Sequence, residues 1–278
     1  MRLVPPRLFR PVLVPVLALA LSACAAVSTL NIVSEPQELQ MGAEFATQLD
    51  RELTFIDDPE VVGYVDALGQ SIARASRRND IPYRFRVVNT DEVNAFAVPG
   101  GYLFVNRGLI EAADTECELA GVLGHEIGHV VGRHSARQMT QQYGLQAIAG
   151  LILGENPSML AQLTAQFAAT GAIMSYSRGM ESEADGYGVQ ELYDAGIDPS
   201  GLATFFDKLV EMRGGAGGSK LETFFSTHPD PGARAAAVRA QIAQLPAKPS
   251  LRKDSPRFHT VKAKVKAMPP APAPGTGG

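Results

Sequence analysis

TECELAGVLGHEIGHVVGRH, residues Thr115 to His134, contains the run His125-Glu126-Ile127-Gly128-His129. Successive helical residues advance by about 100°, so positions i and i+4 share a face. On a helix, His125 and His129 therefore present two imidazoles to one metal ion. Glu126 lies beside that face, placed to act on a water at the metal. Zinc takes nitrogen and carboxylate ligands tetrahedrally, and a catalytic site keeps one position open. The helical context supports this reading. Asp114 or Thr115 can cap the start, and Glu116 and Glu118 suit a first turn. Leu119, Val122, Leu123, Ile127, Val130 and Val131 make an apolar surface, which predicts a buried helix. A core helix with two satisfied histidines would show the same pattern, so the metal reading needs a third ligand.

His134 lies nine residues past His125, about 180° round a continuous helix, facing away. A third histidine in the metzincin pattern falls one residue later, after a helix-breaking Gly; Ser135 stands there. His134 is therefore rejected as a direct ligand and kept for a structural or supporting role. The better candidate is Glu181-Ser182-Glu183-Ala184-Asp185. If this run is helical, Glu181 and Asp185 share a face and Glu183 points roughly 200° from Glu181. Glu181 can bind the metal while Asp185 accepts the free N–H of a ligand histidine, which fixes its tautomer and ring direction. A solvated acidic helix face is the plain alternative; the HExxH run upstream favours the ligand.

HEIGH followed by Glu181-to-Asp185 in an ExxAD pattern resembles metallopeptidase family forty-eight, the HtpX, BepA and LoiP type. Two more segments carry the resemblance. Asn94-Ala95-Phe96-Ala97-Val98-Pro99-Gly100-Gly101-Tyr102 is similar to the family's NAFAxPGG hairpin, and Ser226-Thr227-His228-Pro229 with Arg234 to its STHPxxxxR motif. The resemblance runs from about Glu35 to Leu245. It implies an α+β, zincin-like (gluzincin) domain, mostly helical with a small sheet, binding one zinc ion. It implies His125, His129 and Glu181 as ligands and Glu126 as catalytic base. The expected substrates are misfolded or unassembled envelope polypeptides.

Residues 1–23 read as a targeting segment: Arg2, Arg7 and Arg10 form a positive start, and Val12 to Leu21 is apolar. It is too short and proline-interrupted to favour a span. Leu21-Ser22-Ala23-Cys24 looks like a bacterial lipobox, which implies cleavage before Cys24 and lipidation of that residue. Several acyl chains on one residue would hold the chain on a bilayer. An ordinary signal peptide with a chance Cys is the alternative. Ala25 in place of an Asp points to the outer membrane, periplasmic face. Cys117 then has no intrachain partner, and a buried free thiol is expected there.

Residues 24–34 read as a linker, 35–245 as the metallopeptidase domain and 246–278 as a disordered Pro/Ala/Lys-rich tail. Without Arg2, Arg7 and Arg10 the net charge changes from −4 to −7. The tail from Pro246 carries seven Lys/Arg against one Asp, leaving the body at −13. An acidic body argues against a nucleic-acid partner. The basic tail is expected to touch anionic envelope surfaces or that body. No repeat array follows the domain, a layout closer to LoiP than to BepA, and outer-membrane assembly machinery is a possible partner.

Helices are expected over Ser34–Asp50, from Asp58-Pro59 to about Arg78, and from Asp198-Pro199 to about Met212; Tyr83–Asn89 alternates like a strand. Phe96–Val98 and Tyr102–Val105 read as a hairpin whose exposed edge, with Asn94, Ala95, Phe96 and Ala97, can hold an extended peptide by backbone hydrogen bonds. A plain structural hairpin is the alternative, and for Asn94 a turn role stays open. Residues 138–174 are helical and apolar; two packed core helices or a lid hinged at Gly154-Glu155-Asn156-Pro157 both fit. His228 has three readings: a surface residue, a donor to the transition-state oxyanion, or a fourth zinc ligand. Arg234 could bind the peptide carbonyl or begin a helix's surface. A rival function, a zinc-stabilised chaperone or assembly factor that rarely cuts, would use the same hairpin and lid. The intact Glu126 argues against it, since pure binding needs no base.

Overall fold

The computed structural model describes residues 33–141, 175–215 and 218–271. The leader, Cys24 and residues 142–174 of the candidate lid lie outside the described residues. Among those described, no helix is long and apolar enough to cross a membrane.

Helix α1 (Glu35–Glu52) opens with a capping box: the Gln37 N–H donates to the Ser34 hydroxyl, and the Ser34 N–H to the Gln37 side chain. Helix α2 (Pro59–Ala73) is capped by Asp58, which accepts from the Glu60 and Val61 N–H groups. It stops five residues short of Arg78. Residues 74–80 form turns, because Arg77, Arg78, Asn79 and Asp80 offer nothing apolar to hold another turn against the core. Three short strands follow, β1 (Arg84–Val88), β2 (Ala95–Val98) and β3 (Tyr102–Asn106). Their order is β1-β3-β2: β1 runs parallel to β3 with Phe85 opposite Leu103, and β2 antiparallel with Phe96 opposite Phe104. Strand β2 therefore lies at one edge of this sheet. Gly100 sits in the hairpin loop at φ 79, a conformation that suits glycine.

Alternation along the strands puts both sheet faces to use. Phe85, Val87, Ala95, Ala97, Leu103 and Val105 face the main core with α2 and the HExxH helix. Val88, Val98 and Phe104 face a smaller core with Met41, Phe45 and Leu49 of α1. After α3 (Arg107–Ala112) comes the HExxH helix, α4 (Glu116–Val131), buried from Glu116 to Val130. Residues 134–141 are helical again, and further helices are α5 (Arg178–Asp194), α6 (Ser200–Arg213), α7 (Glu222–Thr227), α8 (Pro231–Ile242) and α9 (Pro256–Ala267). The expected α+β architecture, mostly helical with a small sheet, is what forms.

The tail needs correction. Residues 256–267 fold as α9, with Phe258, Val261 and Val265 wholly buried in the main core. Their spacing (i, i+3, i+7) makes a narrow apolar stripe that bulk composition averages away. The basic residues pair with the body: Lys264 lies 2.8 Å from Asp58 and 2.9 Å from Glu60, and Arg252 lies 2.5 Å from Glu116. The segment also caps α4. Thr115 gives no side-chain cap; instead the Glu116 N–H donates to Asp254 Oδ1 at 3.0 Å and the Cys117 N–H to the Lys253 carbonyl at 2.9 Å.

Candidate metal centre

Helices α4 and α5 approach until their backbones touch. A Cβ on Gly128 would stand 3.0 Å from the Ala184 Cα and carbonyl carbon, and nearer still to the carbonyl oxygen. A Cβ on Gly188 would meet the Gly124 carbonyl oxygen and the His125 nitrogen at 3.0 Å. This close packing brings Glu181, on the first turn of α5, against His125 and His129. His228 arrives just past the end of α7. All four side chains are buried to about 1% exposure.

Their ligating atoms converge. His125 Nε2 lies 3.0 Å from His129 Nε2 and 3.2 Å from His228 Nδ1. Glu181 Oε1 is 3.3 Å from His129 Nε2, Oε2 is 3.5 Å from His125 Nε2, and both oxygens are 3.2 Å from His228 Nδ1. One atom from each of the four residues lies within 4.8 Å of the others. Metal–ligand bonds of 2.0–2.1 Å in a tetrahedron give edges of about 3.3 Å. The observed separations match that size, and the donor set is nitrogen and carboxylate, so these residues fit a tetrahedral metal ion. The surface reading of His228 is thereby overturned: its Nδ1 joins the donor set and its Nε2 lies 3.5 Å from Glu126 Oε1.

The carboxylates respond to this company. Burial alone would raise the Glu181 carboxyl, but His228, His129 and His125 hold it far below the ordinary range. Burial raises Glu126, and His228 and His125 offset part of that. The Ala97 N–H of the edge strand also acts on Glu126 without closing a full hydrogen bond. Burial pushes His129 well below its usual value, with His125 adding to the effect.

Asp185 stands where the helical spacing put it, its Oδ1 3.0 Å from His125 Nδ1. Arg234 turns towards the two α5 carboxylates. It is 8% exposed and lies behind the donor set, giving Nε to Asp185 Oδ2 at 2.8 Å, Nη2 to Asp185 Oδ1 at 2.6 Å and Nη1 to Glu181. Two buried carboxylates one helical turn apart need a fixed cation, and Arg234 is that cation. This corrects its surface reading.

The edge strand lies alongside. Ala95 and Ala97 are buried on the face towards α4. The Phe96 ring points the other way, stacked on Phe104 at 4.9 Å. Asn94 is 1% exposed, its carbonyl accepting from the Asn106 N–H at 3.1 Å, while its Oδ1 makes no hydrogen bond among the described residues. Cys117 is a buried free thiol, as expected.

His134 is excluded from the donor set as expected, but not for the expected reason. The HExxH helix ends at Val131, and Arg133 takes φ 52, so the chain folds back. His134 returns beneath His129, Nδ1 to Nδ1 at 2.8 Å, and its Nε2 lies 3.2 Å from Glu183 Oε2. Tyr176 was not singled out by sequence. Its ring stacks on His129 at 4.0 Å, and its hydroxyl meets the Ser135 hydroxyl at 2.9 Å. No local pattern marks it.

The model for peptidase family M48 matches residues 59–242. The chain belongs to peptidase family M48. A beta-barrel assembly-enhancing protease of Escherichia coli (strain K12) is 33% identical over 250 residues, covering 87% of this chain and 50% of that protein. Metalloprotease YcaL of the same organism is 35% identical over 180 residues, covering 64% of this chain and 66% of YcaL. Mitochondrial metalloendopeptidase OMA1 of Arabidopsis thaliana is 32% identical over 201 residues, covering 71% and 40%. The chain spans about half the length of the first of these M48 relatives. The buried group formed by His125, His129, Glu181 and His228 lies inside the matched M48 region.

Proposed function

We propose that this M48 chain is a zinc-dependent endopeptidase of the bacterial cell envelope, acting on misfolded or unassembled polypeptides and held to the outer membrane through a lipidated Cys24. The observation that carries the reading is the donor set at tetrahedral spacing with a buried carboxylate, Glu126, beside it. His125, His129 and Glu181 hold the metal, and Asp185 fixes the His125 ring from behind. Zinc, when bound, supplies Lewis acidity to the scissile carbonyl and makes water acidic enough to attack near neutral pH. Glu126 takes the proton of the attacking water and returns it to the leaving amine. Keeping that carboxylate buried with no hydrogen bond among the described residues is costly, which fits a group held for chemistry and not for packing. Edge strand β2 lies beside Glu126, placed to bind an extended chain by its backbone with little demand on side-chain identity.

His228 would supply a fourth donor to a bound metal, whereas a catalytic zinc keeps one position open. The arrangement is a closed state, and cleavage requires His228 to yield. Envelope location rests on the leader and lipobox pattern and on the resemblance to an assembly-enhancing protease. A holding chaperone is set aside, since it has no use for Glu126.

The test is cleavage of an unfolded protein by the full chain before chelation, after chelation, and after zinc is restored. Loss and return of fragments is expected; fragments that persist in chelator overturn the metal mechanism. His228→Ala is expected to change turnover several-fold, and unchanged kinetics would remove His228 from the site.

A further inference from the structure

We infer that His134 and Glu183 form a positioning relay behind His129, which fixes the tautomers of both imidazoles and thereby sets how tightly the centre holds its metal. The inference rests on the metal-site reading above.

The proton assignment follows from geometry. A neutral imidazole carries one N–H and one lone pair. His129 Nε2 faces the donor set and must present its lone pair to ligate, so the proton of His129 sits on Nδ1. The contact of 2.8 Å between His129 Nδ1 and His134 Nδ1 then has one direction, with His129 donating and His134 accepting. His134 is left with its proton on Nε2, the nitrogen 3.2 Å from Glu183 Oε2, and donates there. Reversing any link would place a proton on the atom that must bind the metal.

The far end of the relay is itself held. Glu183 Oε2 accepts from Arg137 Nη1 at 2.9 Å, and Glu183 Oε1 accepts from the Tyr187 hydroxyl at 3.1 Å. The near end is shaped by the backbone. Arg133 in the left-handed region returns the chain, and a side chain on Gly132 would strike the His134 ring. His134 is wholly buried, so no water competes for its lone pair. The centre thus has two supports on opposite sides: Asp185 with Arg234 behind His125, and His134 with Glu183 behind His129. Partners that orient ligand histidines typically change metal affinity by about 10- to 100-fold when removed.

The experiment measures zinc dissociation constants of the full chain by chelator competition, with the melting temperature of the metal-free protein taken alongside. His134→Phe keeps a planar ring and removes both bonds. His134→Asn restores an acceptor for His129 Nδ1. The relay predicts zinc binding weakened by about 10- to 100-fold in His134→Phe, with His134→Asn within a few-fold of wild type. Nitrogen-15 spectra of the zinc-loaded wild type should show His134 protonated on Nε2, which needs no variant to fold. His134→Phe binding zinc as tightly as wild type, Phe and Asn variants losing zinc equally, or His134 protonated on Nδ1 would each overturn the relay. Wild-type protein that takes up no stoichiometric zinc would instead overturn the metal-site reading beneath it.

Discussion

Gly128→Ala is the smallest change expected to separate the two halves of the centre. The added methyl would stand 3.0 Å from the Ala184 Cα and carbonyl carbon and nearer still to the carbonyl oxygen, where ordinary contact begins at 3.4 Å. Both groups are backbone, so no rotamer relieves the clash, and α4 and α5 must part by roughly 1 Å. Overpacking of this kind costs about 1–3 kcal/mol. The larger effect falls on the site, because Glu181 rides on α5 and both histidines on α4. A misplacement of about 1 Å can cost on the order of 100-fold in rate. The control is Gly63→Ala on α2, where a Cβ meets nothing within 4 Å. It should gain about 0.5–1 kcal/mol from helix propensity alone. Cleavage rates and urea midpoints for the two variants decide the matter. Gly128→Ala with native turnover would refute the claim that backbone contact between these helices sets the donor geometry.

Phe258→Ala should cost about 3–5 kcal/mol in urea unfolding, because the ring is wholly buried against the core; a loss below about 1 kcal/mol would mean the segment is a loose tail after all. Glu191 on α5 is 2% exposed with neither oxygen bonded among the described residues, and burial pushes its carboxyl to about 8. A pKa raised in the folded state favours folding below the unfolded value near 4.5, and that contribution is lost as pH rises through about 8. Wild-type stability should therefore fall between pH 5 and pH 8 relative to Glu191→Gln, by a few kcal/mol at about 1.4 kcal/mol per pH unit; parallel urea midpoints across that range would rule this out.

The centre was legible in sequence where its residues share a helix. His125 and His129 are one turn apart, as are Glu181 and Asp185, and the 3.6-residue period alone assigns each pair a face. The hairpin was equally readable, since Pro99-Gly100-Gly101 breaks two alternating runs. What could not be read depends on backbone outside regular helix or on distant packing. His134 required knowing that Arg133 would leave the helical region. Arg234 required knowing that α8 lies behind α5, a contact of residues 49 positions apart at Asp185. Glu183 carried a usable signal, because two residues from Glu181 on a helix it must serve a different partner. The C-terminal helix shows the opposite failure: Phe258, Val261 and Val265 were in plain view, but lysine and proline content concealed their spacing.

The central claim is that Glu126 does the proton work beside a metal that other residues hold. One measurement addresses both halves: zinc content and peptide fragments, by mass spectrometry, for the native chain and Glu126→Gln incubated with an unfolded protein. The account predicts one zinc per chain in both, with fragments from the native chain alone. Cleavage by Glu126→Gln at the native rate, with its zinc in place, would contradict it.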